Sequence, residues 1–264
     1  MTEILRTERS GAVLRLILCD DASRNSLSEN MIHALQSALD AAAVDPAVGA
    51  IIIAASGKVF SSGHNLKQLT AHRADADGGE AYYASVFQSC GKLMGTIARH
   101  RCAIIAEVDG LASAAGCQLV ATCDLAYSSP RATYCTPGVS IGLFCSTPMV
   151  ALSRNLSAKH SMEMLLTGDV VDADFAARVG LVNAVVGQNE LAAHVAGRAA
   201  HIASKSRAAI AYGKRAFREQ HAMPLDEAYD FTACVMTRNM LDESAREGLD
   251  AFVNKRHPKW PPLT

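Results

Sequence analysis

The sequence predicts an α/β body followed by a smaller, all-helical tail, and three observations carry that expectation. Residues 49–55 and 103–108 are almost unbroken apolar runs of strand length, the pattern of strands covered on both faces. Each run leads through a stretch of small residues into a helical pattern, so strand–loop–helix units recur without an exact sequence repeat. Near residues 190–200 the strand patterns stop and only helices follow. The expected division is therefore a core of residues 1–198 and a helical region of residues 199–264.

Residues 12–19 begin with alternation (Val13, Leu14, Arg15, Leu16) and then turn apolar, a strand paired across Ser10-Gly11 with the segment before it. Residues 20–26 are polar and loop-like. Ser28 followed by Glu29 starts a helix with Met31, Ile32, Leu35, Leu39 and Ala42 on one face, and Asp45-Pro46 ends it. The strand at 49–55 runs into the glycine- and serine-rich stretch S-G-K-V-F-S-S-G-H-N-L-K at 56–67 and then a short helix. Residues 73–79 are polar and glycine-containing, the composition of a mobile loop. Residues 80–100 are helical, with Val86, Leu93, Met94 and Ile97 turned inward.

The strand at 103–108 opens the central stretch of the chain. Gly110, Ala112, Ser113, Ala114, Ala115 and Gly116 separate it from an apolar helix, and Asp124 opens another short strand. Small residues at such a junction let a ligand approach the backbone. The new helix directs unpaired N–H groups and the positive end of its dipole there. A tightly packed turn has the same composition, so this stretch alone does not decide. Further on, residues 132–135 read as a strand, Thr136-Pro137-Gly138 as a turn, and Thr147-Pro148 as the cap and first residue of a helix. A helix at 157–167 ends at Gly168, and Asp172 caps one that stops at Gly180. Residues 181–186 read as a strand, and Pro224 and Asp242 start two of the tail helices.

Composition excludes several classes. A formal net charge of −1 over 264 residues argues against a protein-wide nucleic-acid surface. No apolar run reaches membrane-spanning length. The first ten residues contain Glu3, Arg6, Glu8 and Arg9 and no apolar signal core, so a cytoplasmic location is expected. None of the eight cysteines is spaced for zinc, and most sit in apolar company as small hydrophobes, so no metal site is expected.

The units at 51–68 and 104–120 share one physical logic: each can direct a backbone N–H at a single carbonyl oxygen, and two such donors stabilise an enolate-like oxyanion. Their residues carry a resemblance. F-S-S-G-H-N-L-K resembles the F-x-x-G-x-D-[LI] loop of the crotonase (enoyl-CoA hydratase/isomerase) superfamily, and D-G-L-A-S-A-A-G-C-Q-L-V-A-T-C-D-L-A resembles its N-G-x-x-x-G-G-G-x-x-L-x-x-x-C-D. T-G-D-V-V-D-A-D-F-A-A-R-V-G-L-V and E-G-L-D-A-F-V-N-K-R resemble its two later landmarks, in the same order. The runs G-L-A-S-A-A-G-C-Q-L-V-A and G-L-F-C-S-T-P further resemble the enoyl-CoA hydratase domain-containing members.

The resemblance implies a spiral of ββα turns with a C-terminal helical trimerisation region, assembled as trimers or as hexamers built from two trimers. It implies a coenzyme A thioester as substrate, with no tightly bound cofactor. Carried over by position, the oxyanion donors are the backbone N–H groups of His64 and Ala115. Arg24, with the rest of the segment Arg24-Asn25-Ser26-Leu27, and Ser62, His64, Asn65, Leu66 and Lys67 fall where the family approaches coenzyme A, and Phe252 and Lys255 match a pair that reaches it from a neighbouring subunit. Lys67 and Lys255 read equally well as solvated lysines.

The two glutamates that activate water in the family's hydratases are absent: their positions hold Gln118 and Gly138. The isomerase acid falls near Ser146, which is not acidic either. Glutamine takes no proton at neutral pH and glycine has no side chain. His64 is the one titratable side chain beside the expected oxyanion hole; the alternative is that only its backbone acts. Cys117, on the first turn of a helix, and Cys145 are candidate reactive thiols or buried inert ones. Glu107 and Asp109 precede the loop, and Asp109 and Asp124 read as structural. The expected function is an enoyl-CoA hydratase-like acyl-CoA enzyme of fatty-acid or related metabolism, with hydration itself doubtful. The alternatives are a non-catalytic acyl-CoA-binding protein and a thioester hydrolase using water positioned by Gln118.

Overall fold

The computed structural model describes residues 3–261. β1 (Leu5–Ser10) turns back into β2 (Val13–Leu18), followed by α1 (Glu29–Val44), whose first turn is capped by the Ser28 side chain. A first ββα turn comprises β3 (Ala50–Ala55), β4 (Val59–Ser61), α2 (Leu66–Ala71) and α3 (Glu80–Arg99). A second comprises β5 (Ala103–Val108), β6 (Leu111–Ser113) and α4 (Ala115–Thr122). A third runs from β7 (Leu125–Ser128) and β8 (Thr133–Cys135) into α5 (Ser146–Asn155) and α6 (Ala158–Thr167). β9 (Val171–Asp172), α7 (Ala173–Val179) and β10 (Ala184–Val185) precede four final helices: α8 (Leu191–Ala203), α9 (Arg207–Gln220), α10 (Leu225–Leu241) and α11 (Glu243–Val253).

Each turn places its first strand in one sheet and its second in another. The larger sheet has the order β1-β2-β3-β5-β7-β10, parallel except for β1; the smaller has the order β4-β6-β8-β9, parallel except for β9. The chain thus advances one strand in both sheets per turn, which is the spiral the resemblance implies. The larger sheet is covered on both faces. Leu16, Leu18, Ile51, Ile53, Ile104 and Ala106 point into the main core beneath α1, α3 and α4, while Val13, Ile17, Ile52, Ile105 and Tyr127 meet Leu191, Val195 and Ala199 of α8. That double burial is why β3 and β5 read as continuous apolar runs.

Charged groups anchor the periphery. Asp124 accepts from the Ile104 N–H (2.8 Å) and from Lys214 Nζ (2.5 Å), and pairs with Arg218 (3.3 Å), fastening α9 to the start of β5. Asp109 binds Arg131 and the Ser129 hydroxyl, and Glu107 pairs with Arg15 across the sheet. All three acidic residues therefore have structural partners.

Several expectations shift by local physics. α5 begins at Ser146 rather than at Pro148, because Cys145 and not Thr147 is the capping residue. Only two residues of 181–186 form a strand; Leu181 and Val182 pack into the core, and the Asn183 N–H reaches the Ala126 carbonyl just before it. Residues 73–79 carry a short 3-10 turn at His72–Ala74, and the Asp77 carboxylate caps the start of α3 through the Gly79 and Ala81 N–H groups. Residues 198 and 199, between which the sequence reading divides the chain, both lie within α8. No helix among the described residues is long and apolar enough to cross a membrane.

Candidate active site

Three stretches of chain meet where the first two ββα turns stack. Residues 20–27 wrap along residues 56–64. The Leu27 N–H donates to the Gly63 carbonyl (2.8 Å), the Ser62 N–H to the Arg24 carbonyl (3.1 Å), and the Ser62 hydroxyl to the Ser23 carbonyl (3.3 Å). Asn25 locks this arrangement. It is buried with φ +52; its Nδ2 donates to the Ser56 (3.1 Å) and Val59 (2.8 Å) carbonyls, and its Oδ1 accepts from the Asp20 N–H (2.8 Å). The sequence reading sets Asn25 in a polar loop, within the segment 24–27 that the resemblance brings to coenzyme A, and gives it no part in locking the loops. A short amide side chain able to adopt a left-handed conformation was the available signal.

The loop leaving β4 passes through Gly63 (φ +84) and is closed by Asn65, whose Oδ1 caps α2 through the N–H groups of Lys67 (3.1 Å) and Gln68 (3.3 Å). Asparagine thus performs the capping that a carboxylate would, without its charge. Arg24, Leu66 and Lys67 are exposed on the outer side of this loop, and Ser62, His64 and Asn65 are half-buried.

The second loop, from β6 into α4, lies directly against the first. A Cβ on Gly63 would stand 2.9 Å from the Ser113 carbonyl and 3.2 Å from the Ala115 nitrogen; a Cβ on Gly116 would collide with the Ser61 carbonyl. Glycine at these two positions lets the backbones touch. Between them Ala114 takes φ +49 and ψ −114, a conformation favoured by glycine and strained for alanine, and it caps α4 without a side-chain hydrogen bond. This turn leaves the Ala115 N–H at the start of a wholly buried helix. Among the described residues, neither that N–H nor the backbone N–H of His64 has a hydrogen-bond acceptor.

The two positions that the resemblance assigns to glutamates are occupied in two different ways. Gln118 is 4% exposed, its side chain makes no hydrogen bond among the described residues, and its Oε1 is fully buried. Gly138 has no room for a side chain: a Cβ there would lie 2.7 Å from the Leu143 carbonyl oxygen and 2.9 Å from Cys145 Sγ. The Leu143 N–H in turn donates to the Gly138 carbonyl (2.9 Å), closing a 3-10 turn over Pro137–Ile141. Ser146 is exposed, and its hydroxyl turns back to the Phe144 carbonyl at 3.4 Å. Burial pushes both the Cys117 and Cys145 thiols above the ordinary range, so neither is favoured as a thiolate at neutral pH.

The His64 ring lies half-buried, edge-on to Phe87 (centroids 5.3 Å apart, planes at 72°). Its Nδ1 stands 3.4 Å from the Leu27 carbonyl, and its Nε2 is buried without a partner. Burial lowers its pKa, opposed only by the Leu27 carbonyl, so the ring is neutral at pH 7. Sequence reasoning did not find Phe87, 23 residues beyond His64, nor the Leu143 carbonyl and Cys145 thiol at the position of Gly138, which depend on how the 3-10 turn at Pro137–Ile141 folds back. Phe252, 84% exposed on α11, and Lys255 (φ +52) just beyond it stand apart: among the described residues, the hydrogen bonds that join 20–27 to 56–64 do not extend to them.

Comparison with known proteins sets this geometry in context. The family model described as "Enoyl-CoA hydratase/isomerase" matches residues 8–262. A Xenopus laevis protein named "Enoyl-CoA hydratase domain-containing protein 3, mitochondrial" is 43% identical over 259 residues, covering 98% of this chain and 86% of its own. The crystal structure of an enoyl-CoA hydratase from Mycobacterium smegmatis superposes with a TM-score of 0.92 at 42% identity, covering 98% of this chain and 99% of its own. That of human enoyl coenzyme A hydratase domain-containing protein 3 gives 0.92 at 41% identity, covering 98% and 100%. The cytoplasmic location expected from the N-terminal residues is corrected by these relatives: the frog protein and its mouse and human counterparts are all named as mitochondrial.

Proposed function

This chain belongs to the enoyl-CoA hydratase/isomerase family, and on that premise we propose that it binds a coenzyme A thioester and stabilises its enolate. The thioester carbonyl sits between the backbone N–H groups of His64 and Ala115, the two donors without acceptors where the loops touch. That pair of unsatisfied donors is the observation that carries the reading. Preorganised N–H groups in a buried setting favour developing negative charge on oxygen and need no reorganisation when it forms. Arg24, Ser62, Asn65, Leu66 and Lys67 flank the pantetheine and nucleotide end on the outer side of the first loop.

Water addition by two glutamates is not the chemistry of this site. Gln118 cannot take a proton, and the second position is filled by backbone and a thiol. The test is crotonyl-CoA with the purified protein, following the enone absorbance and free thiol release together. The expected result is saturable binding with no enone loss at the rate of a two-glutamate hydratase. Rapid hydration would overturn the exclusion, and stoichiometric thiol release would favour hydrolysis with water held by the unpartnered Gln118 amide. The missing acids also favour a second reading, a non-catalytic acyl-CoA-binding role, which predicts affinity with no turnover of any thioester.

The helical region is proposed to assemble the protein as a trimer, or as two trimers paired. Leu225, Tyr229, Met236, Met240, Phe252 and Val253 leave an apolar surface on α10 and α11, and Phe252 and Lys255 would complete a neighbour's site. Light scattering on the purified protein measures the mass directly, and a monomer would refute the assembly.

A further inference from the structure

We propose that the His64 imidazole is the base of this site, its Nε2 taking the α-proton of a coenzyme A thioester whose carbonyl is held by the backbone N–H of the same residue. The inference rests on the acyl-CoA reading above and assigns it a proton acceptor in place of the absent carboxylates.

Three features of the ring carry it. A carbonyl oxygen only accepts, so the contact with Leu27 (3.4 Å) fixes the proton on Nδ1 and leaves Nε2 as a bare lone pair. That lone pair is buried and unpartnered, and an orphaned polar atom in a folded protein calls for an explanation, a catalytic role being one. The ring is also held neutral at pH 7 by burial, with no charged side chain acting on it, so the lone pair is free over the physiological range. Position supplies the rest. His64 follows Gly63, whose backbone abuts Ser113–Ala115, so the imidazole hangs from the point where the enolate oxygen would be held. The ring packs edge-on against Phe87, a side chain 38% exposed on α3, so this side of the imidazole lies next to the surface. The other candidates nearby are not bases at this pH: Gln118 does not titrate and the Cys117 and Cys145 thiols are pushed up by burial.

The step balances without a co-reactant. The α-carbon–hydrogen bond breaks, its proton goes to Nε2, and its electron pair moves into the carbonyl to give the enolate oxyanion. When the protonated ring trades its Nε2 proton for a solvent deuteron before returning it, delivery to the same carbon gives exchange; delivery to the γ-carbon of an unsaturated chain shifts the double bond.

The experiment is α-hydrogen exchange of butyryl-CoA in D2O, read by mass spectrometry, beside a calorimetric dissociation constant for the same ligand. The wild type should exchange deuterium, with a rate that falls as the pH drops through a value below 6.5. His64→Gln keeps the backbone donor and should retain affinity while exchange falls about 100-fold or more, the contribution typical of a positioned base. His64→Glu, which restores a proton acceptor, should recover part of the rate. Exchange undiminished in His64→Gln, or absent in a wild type that binds the thioester, would overturn the base assignment and leave the binding reading standing. A wild type with no affinity for butyryl-CoA would overturn both.

Discussion

Gly138→Ala is the smallest change that tests whether the second acid position is filled. The added atom would lie 2.7 Å from the Leu143 carbonyl oxygen and 2.9 Å from Cys145 Sγ. Both are closer than carbon tolerates, and the nearer one is backbone, so a rotamer change cannot relieve it. Moving Leu143 also strains its N–H bond to the Gly138 carbonyl, which closes the same turn. Overpacking of this kind costs about 1–3 kcal/mol. Replacing glycine recovers about 0.4–1 kcal/mol through the unfolded chain. The expected net loss is about 1–2 kcal/mol, which for a protein of this size lowers the melting temperature by roughly 2–8 °C. Differential scanning fluorimetry and urea unfolding, at fixed protein concentration, measure it. Gln118→Glu combined with Gly138→Glu should lose at least as much stability and gain no crotonyl-CoA hydration. A Gly138→Ala protein as stable as the wild type, or a double-glutamate variant that folds and hydrates, would refute the reasoning.

Other expectations follow from the same geometry. Ala114→Gly removes a strain of about 1–3 kcal/mol at φ +49 and incurs about 0.5–1 kcal/mol of chain entropy, so the urea midpoint should rise modestly. Asn25→Ala strips the Ser56 and Val59 carbonyls and the Asp20 N–H of their buried partner, and should cost about 2–4 kcal/mol with a marked loss of thioester affinity. Burial lowers the pKa of both His64 and His100, so the unfolded chain takes up protons first and stability should fall as the pH drops below about 6.5. Asp45 and Asp77, both shifted below 3.8, do not titrate between pH 6.5 and 5, and Glu107, raised by burial, acts with the opposite sign. Urea midpoints across that window should therefore decline, and His100→Gln should flatten the slope even though it lowers the absolute stability.

Much of the scaffold was legible because local rules and tertiary packing agree. The runs at β3 and β5 are apolar on both sides because α8 covers one face of the sheet and the main core the other. Ser28, Ser157 and Asp172 cap the helices that follow them, and Pro224 and Asp242 precede α10 and α11 as expected. β4 and β6 were harder to see, since they are held by pairing with distant strands rather than by any pattern of their own.

At the site, the contact between the two loops follows from glycines at 63 and 116 that any reading of the chain would mark. The substitutions at 118 and 138 were equally visible, but their consequences were not. That Gln118 has no partner and that Gly138 is walled in by Leu143 and Cys145 depend on how the third turn of the spiral folds back. A helix N-terminus suggested a lowered thiol pKa at Cys117, whereas complete burial raises it. The orphaned Nε2 of His64 likewise arises from Leu27, 37 residues earlier, which fixes the tautomer.

The central claim is that two backbone N–H groups hold a thioester carbonyl. Calorimetric binding of butyryl-CoA beside S-butyl-CoA, which has the same chain and no carbonyl, tests it most directly. Two hydrogen bonds of about 0.5–1.5 kcal/mol each predict that the thioester binds roughly 5- to 150-fold tighter than the thioether. Equal affinity for the two would contradict the account, because it would leave the N–H groups of His64 and Ala115 with nothing to bind.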